Sequence, residues 1–510
     1  MIASLHTIFQ GIQSLWHSIP SAVWAMLYAL WIIISIIFML GQRRPPTATL
    51  SWIFGFIALP VLSVAFYFLF GPRKLKRRNI RRELARHLAA RHGHPRQQQR
   101  LPETLANRHW LRAQARVAME AGCPPPRSGQ TVKVLIDGDA TYTAIEAAMQ
   151  AARHHIHLEY YIFEPDAIGT RWRDLLADKA RAGVKVRMLV DAVGSPRCRG
   201  PRFWQPLLDA GGEVRVFNPP RLVPFRPSMV NFRTHRKIVV VDGLHGFTGG
   251  INIDQVESAA ESGSEAWRDT HLAVSGTATM DLQRLFLEDW LYAGARSGQL
   301  ARLDKALTTP QDIQAWFPLP PAEESVDVGQ TWVQVIDSGP DRNESAIHRF
   351  LFTAMASARY RIWVTTPYFV PDEAILMAMT TAAARGVDVR LLVPMESDQL
   401  LTGLAASTFV EEALLKRVRV YAYVPRFIHA KTMVVDDELS VIGTANMDNR
   451  SFRLNFEVMA AIYDQPTTAA MASQFLKDLE SSTQLHPDYQ PDSFSQRLVA
   501  SLARLAAPLL

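Results

Sequence analysis

Two long apolar runs open the chain, and beyond them the pattern shifts to short apolar strings alternating with helix-period stretches. Ala22–Leu40 and Leu50–Phe70 contain no charged residue. A helix of about 20 apolar residues crosses a hydrocarbon core about 30 Å thick. The pattern therefore predicts a membrane anchor over residues 1–70, with two transmembrane helices at about 22–40 and 50–70. Gly55 and Pro60 weaken the second helix, so it reads as a kinked span or a re-entrant segment. A cleaved leader fits poorly, because no basic segment precedes the first run and a second run follows at once.

After a Pro-rich stretch at Cys123–Gly129 the chain repeats itself. A helix-period stretch at Ala144–Met149 is followed by the strand-like His155–Phe163, a turn at Glu164-Pro165, a second helix, and the string Ala182–Val190. The same order recurs at Ala346–Leu351, Tyr360–Val364, Val370-Pro371 and Arg385–Val393. Helices alternating with short apolar strands indicate α/β layers. The expected fold is α/β, with two repeats that are each a β-sheet flanked by helices and share one central active site. The expected boundaries are a basic juxtamembrane stalk and linker at 71–127, repeats at 128–325 and 326–490, and a C-terminal amphipathic helix at 491–510. Ser195–Arg233, rich in arginine and aromatic residues, reads equally as a lid, a membrane-facing loop or an exposed insertion.

Charge sharpens this picture. Residues 71–127 hold 15 Lys/Arg against three acids, whereas residues 128–510 are net acidic. The cluster Arg73, Lys74, Lys76, Arg77, Arg78, Arg81 and Arg82 follows the second apolar run, which marks a cytoplasmic flank and attracts anionic lipid. A net acidic body argues against a nucleic-acid substrate. Cys123 and Cys198 are the only cysteines and lack zinc spacing, so no disulfide framework is expected.

Each repeat ends in one pattern, H-x-K-x4-D-x6-G-[GT]-x-N. The copies begin at His235, Lys237 and Asp242 and at His429, Lys431 and Asp436, and they close on Asn252 and Asn446. A His and a Lys two apart on extended backbone share a face, so an imidazole and an ammonium project together at one strand end. One copy is weak as a signal, while two copies in matching places are strong.

These residues resemble the phospholipase D superfamily, whose signature is the paired motif. The two apolar runs, the basic segment and Asn455-Phe456-Glu457 make the chain similar to bacterial cardiolipin synthases of that type. The resemblance implies one histidine as nucleophile and the other as acid and base, with His235 preferred as nucleophile and His429 as acid/base. It implies Lys237 and Lys431 on the phosphate oxygens, and Asn252 and Asn446 as donors. Asp242 and Asp436 hold the site together, and Glu457 orients a histidine. Glu159 and Asp269 are weaker candidates, for which ordinary core or surface roles are expected. No metal or cofactor is called for. The implied reaction transfers a phosphatidyl group between two phosphatidylglycerol molecules in a bacterial inner membrane, with the body cytoplasmic and anionic membrane lipids as partners. A phospholipase D hydrolase, another phosphatidyltransferase and an inactive membrane scaffold are the alternatives.

Overall fold

The computed structural model describes residues 20–42, 46–70, 76–92, 109–219, 231–294, 329–342, 344–486 and 493–509, with scattered positions from 299 to 314. The chain divides into an N-terminal unit ending at Lys74 and a body beginning at Leu75.

In the N-terminal unit, α1 (Ser21–Leu40) is followed by α2 (Pro46–Ala58) and α3 (Pro60–Phe70). Among the described residues, α1 alone is long and apolar enough to cross a membrane. The second apolar run forms two helices rather than one, with the break at the Pro60 that the sequence marked as weakening it. It breaks at Leu59 because Pro60 has no N–H to donate and takes the first position of a new helix. Met39, Phe56 and Tyr67 form a small core, and the Tyr67 hydroxyl donates to Gln42 Oε1 at 2.9 Å. Ile33, Ile34, Ile37 and Leu40 face outward, as apolar side chains do on a helix surrounded by lipid.

The body opens with α4 (Lys76–His92) and α5 (His109–Glu120). The first repeat comprises β1 (Arg127–Ile136), α6 (Asp137–Ala151), β2 (His155–Tyr160), α7 (Ala167–Arg181), β3 (Lys185–Asp191), α8 (Pro201–Asp209) and β4 (Glu213–Phe217). It continues through β5 (Ile238–Val241), β6 (His245–Gly249), β7 (Thr270–Ser275) and α9 (Ala278–Gly294). The second repeat runs β8 (Thr331–Ser338), α10 (Ala346–Ser357), β9 (Arg361–Thr365), β10 (Phe369–Val370), α11 (Glu373–Ala384), β11 (Asp388–Pro394), α12 (Leu400–Leu415) and β12 (Arg419–Tyr423). It ends with β13 (Thr432–Val435), β14 (Leu439–Gly443), β15 (Met447–Asp448), β16 (Glu457–Tyr463), α13 (Gln465–Glu480), β17 (Ser482–Gln484) and the C-terminal α14 (Phe494–Leu505).

Fifteen strands form one sheet in the order β17-β12-β11-β9-β13-β14-β16-β8-β1-β7-β6-β5-β2-β3-β4, and β10 pairs with β15 separately. The order reads outward almost identically from the antiparallel β1–β8 pair at the centre. The duplication seen in the sequence is thus a quasi-two-fold arrangement, with β2, β3 and β5 matching β9, β11 and β13. Buried Val and Ile on these strands pack beneath the helices, as strands covered on both faces require.

Part of the basic segment is interior to the body. Arg82 on α4 is buried among Asp289, Asp341 at 3.4 Å and Glu288 at 3.8 Å, with its guanidinium 4.1 Å from the centre of the Phe456 ring. α4 therefore docks through Ala85, Leu88 and Ala89 rather than standing free as a solvated stalk. Of Ser195–Arg233, the first part folds as α8 and β4, while residues 220–230 lie outside the described residues. Cys123 and Cys198 are buried and unpaired.

Candidate active site

Both histidines lie on extended lead-ins just before β5 and β13, one step short of the strands themselves. Each lead-in is fastened to the opposite repeat. His235 N–H donates to Phe456 O at 2.9 Å, and His429 N–H donates to Arg268 O at 2.7 Å. The motifs therefore meet where the repeats cross.

The side chains continue that exchange. His235 Nδ1 lies 3.0 Å from Glu457 Oε2, and His429 Nδ1 lies 2.7 Å from Asp269 Oδ2. Each ring takes its carboxylate from the other repeat. A carboxylate accepts, so Nδ1 carries the proton and Nε2 keeps its lone pair. Lys237 Nζ donates to His235 O at 3.0 Å, and Lys431 Nζ donates to His429 O. All four motif side chains are buried.

Glu457 holds His235 as the sequence suggested. Asp269 does the same for His429, which corrects the expectation of an ordinary role for it. Glu159 is a core residue. It is fully buried, accepts from the Thr234 hydroxyl, and its carboxyl is pushed well up by burial and by Asp289.

Asp242 and Asp436 face away from the ring nitrogens and organise backbone. Asp242 accepts from the backbone N–H groups of Arg153, His154 and His155, each at 2.8 Å. Asp436 accepts from those of Arg359, Tyr360 and Arg361. Both take a positive φ, 54° and 49°, at the turn leaving the strand, a conformation that Asp tolerates better than most residues. Each thus ties β5 or β13 to the start of β2 or β9.

The loop after each motif differs in one instructive position. A Cβ on Gly250 would lie 2.2 Å from Asp269 Oδ1, so only glycine leaves room for that carboxylate. The equivalent position is Thr444, whose hydroxyl donates to Glu457 Oε2. Asn252 donates through its backbone N–H at 3.1 Å and its Nδ2 at 3.3 Å to Glu257 Oε1. Asn446 donates through its backbone N–H to Ser451 Oγ at 3.1 Å.

Glu257 is a site residue that the sequence reading missed. It is buried, and its Oε1 lies 4.0 Å from His429 Nδ1. Burial and the Asp269 charge push its carboxyl well up. Asp269 is buried too, yet Lys431 and His429 hold it below the usual carboxylate range. Glu257, Asp269 and His429 also offer three potential ligand atoms within 4.8 Å of one another. Lys431 already supplies positive charge there, which opposes a cation. Tyr161 stands against His235 at 4.9 Å between ring centroids, and Trp267 against His429 at 5.1 Å.

The family described as cardiolipin synthase, PLD-like domain, matches residues 145–290 and 351–479, which contain both motifs. The chain belongs to this family. A second family, described as phospholipase D-nuclease N-terminal, matches residues 27–72. A cardiolipin synthase of Geobacillus kaustophilus is 39% identical over 475 residues, covering 92% of this chain and 90% of that relative. Cardiolipin synthase 1 of Bacillus anthracis is 36% identical over 482 residues, again covering 92% and 90%. The crystal structure of the phosphatidylserine synthase of Haemophilus influenzae superposes with a TM-score of 0.58 at 16% identity, over 78% of this chain and all of that one, which shows the fold.

In this member of the cardiolipin synthase family, burial disfavours the charged form of both rings. Burial lowers His235 to about 4, with Glu457 opposing and Lys237 adding to the drop. Burial and Lys431 lower His429 to about 3. Lys237 falls to about 7 through burial and the Lys431 charge, and Lys431 to about 8 through burial against the pull of Asp269. Two buried ammonium groups, with Lys431 lowering Lys237, favour an anion between them.

Proposed function

We propose that the chain is a cardiolipin synthase working through a phosphohistidine, with phosphatidylglycerol as donor and acceptor. The observation that carries this reading is the crossed pairing of His235 with Glu457 and His429 with Asp269 beside two buried lysines. With the anionic diester bound, His429 takes a second proton on Nε2 and enters as the imidazolium beside Asp269; His235 Nε2 attacks phosphorus, the bond to the glycerol head group breaks, and His429 gives that oxygen the Nε2 proton. The glycerol hydroxyl of a second phosphatidylglycerol then returns a proton to His429 and attacks phosphorus. The P–N bond breaks and cardiolipin leaves. Lys237 and Lys431 neutralise the non-bridging oxygens as charge develops. Asn252 and Asn446 frame the same cavity, while Asp242 and Asp436 keep the lead-ins in register.

The surroundings of the two rings divide the roles. Beside His429 lie two carboxyls, Asp269 and Glu257; beside His235, Glu457 takes a hydroxyl hydrogen bond from Thr444 instead. A ring flanked by two carboxyls suits the imidazolium form that a proton shuttle passes through. α1 and the broken second run would form a multi-pass anchor in a bacterial inner membrane, with the basic residues Arg73–Arg78 on the cytoplasmic side and the body there too.

The direct test follows labelled phosphatidylglycerol with purified protein. Cardiolipin and glycerol in equal amounts are expected. Phosphatidic acid alone would make the protein a hydrolase, and no turnover would make it a scaffold.

A pH profile tests the lysine pair. The ammonium forms bind the anionic phosphodiester, and kcat/KM reports the free enzyme. With free lysines at about 7 and 8, kcat/KM is expected to begin falling near pH 7, where Lys237 loses its proton. Above pH 8 it should fall about tenfold or more per unit. The fall in kcat should come later, because bound phosphate keeps both lysines charged. A kcat/KM still flat at pH 10 would refute this account.

A further inference from the structure

The quasi-symmetry fails beneath α8 and α12. In the first repeat, the space between α8 and the ends of β2 and β3 is filled. Trp204 is buried there, with its ring 4.9 Å from those of both Phe163 and Phe203. In the second repeat the matching space lies between α12 and the ends of β9, β11 and β12, and it is open. α12 presents Gly403, Ala406 and Ser407 where α8 presents aromatic rings, leaving a cleft of about 100 Å³. Val393, Met395 and Val410 line it together with Tyr368. Clefts outside the carboxyl ends of parallel strands are where α/β sheets bind ligands.

Two further observations say what the cleft receives. Apolar side chains are exposed beside it, with Leu400 79%, Leu401 49% and Met395 44% accessible, and a soluble partner-free rim would not retain them together. The cleft also connects to the chemistry. The Tyr368 ring lies 6.4 Å from that of Phe427, and Phe427 lies 6.0 Å from His429. The Tyr368 hydroxyl is held to one side by Asp398 at 2.8 Å.

Resting on the lipid reading above, we infer that this cleft takes one acyl chain of a phospholipid whose phosphodiester lies between His235 and His429. The chain enters past Leu400 and Leu401, and the glycerol backbone spans the Tyr368–Phe427 edge. The filled counterpart in the first repeat leaves the second lipid without such a slot, so the two substrates are bound differently.

The test uses the full-length protein in detergent and Ala406→Phe, which fills the cleft as Trp204 fills its counterpart. Three substrates are compared: dioleoyl phosphatidylglycerol, dihexanoyl phosphatidylglycerol and the soluble diester bis(p-nitrophenyl) phosphate. Each methylene excluded from an apolar slot is worth about fourfold in affinity. The variant is therefore expected to lose about 100-fold or more in kcat/KM on the dioleoyl lipid, to lose less on the dihexanoyl lipid, and to keep its rate on the soluble diester. Met395→Ser at the rim should show the same order with a smaller loss, and it decides the matter should Ala406→Phe fold poorly. Equal losses on all three substrates with both variants, or no loss on the dioleoyl lipid, would overturn the proposal. An unaltered protein that cleaves the soluble diester but neither lipid would instead sink the lipid reading on which it rests.

Discussion

His235→Ala is expected to lower phosphatidyl transfer by about 10⁶-fold, the scale seen when a covalent nucleophile is deleted. His429→Ala is expected to lower it by about 10²–10⁴-fold, the scale of a general acid and base. The two variants should part company on bis(p-nitrophenyl) phosphate, whose leaving group needs no proton. His429→Ala should still release a burst of nitrophenol equal to the enzyme and then stall, because the intermediate on His235 forms but its attacking hydroxyl lacks a base. His235→Ala should give no burst. Rapid-mixing absorbance measures this directly, and a burst in His235→Ala with none in His429→Ala would reverse the roles. The basis is the tautomer fixed by Glu457 and Asp269, which leaves both Nε2 atoms available and lets their surroundings separate them.

Arg82→Ala is expected to destabilise the body by about 3–5 kcal/mol, the cost of breaking a buried ion pair from one side. Arg82 is 2% exposed, and Asp289, Asp341 and Glu288 keep it charged although burial opposes this. Its loss leaves acids buried behind the site with less to balance them. Arg236 still binds Asp289 at 2.6 Å, so the network should weaken rather than vanish. Urea denaturation should show a lower midpoint for Arg82→Ala and an unchanged one for Arg116→Ala, whose guanidinium is 65% exposed beside Glu120. Equal midpoints for all three proteins would mean that α4 contributes nothing to the body.

Contacts explain why some of this was legible in the sequence and some was not. The resemblance marked Asp242 and Asp436 as organisers, and at the end of a strand each acts on nearby backbone. Glu457 was legible only through the resemblance. Asp269 and Glu257 were not legible, because each acts on a histidine far along the chain in the other repeat, and no local period or spacing records such a partner. The role of Gly250, which makes room for Asp269, depends on a residue outside its own motif. The amphipathic pattern at the C-terminus leaves open which face of α14 meets the body. The helix docks through Ala500 and Ala503 and through Arg504 to Glu412 at 2.6 Å, while Phe494, Leu498, Leu502 and Leu505 stay exposed. A helix with small residues on one side and large apolar ones on another supports both readings until a neighbour covers one face.

The sequence by itself determined the duplication, the chemistry of each motif and the apolar N-terminus, because these depend on the order and spacing of side chains along one strand or helix. Only the tertiary structure decided which carboxylate serves which imidazole, that Arg82 is interior, and that one repeat has a filled space where the other has a cleft. Those outcomes are set by the meeting of elements distant in the chain. Burial there lowers both imidazoles and both ammonium groups of the motifs.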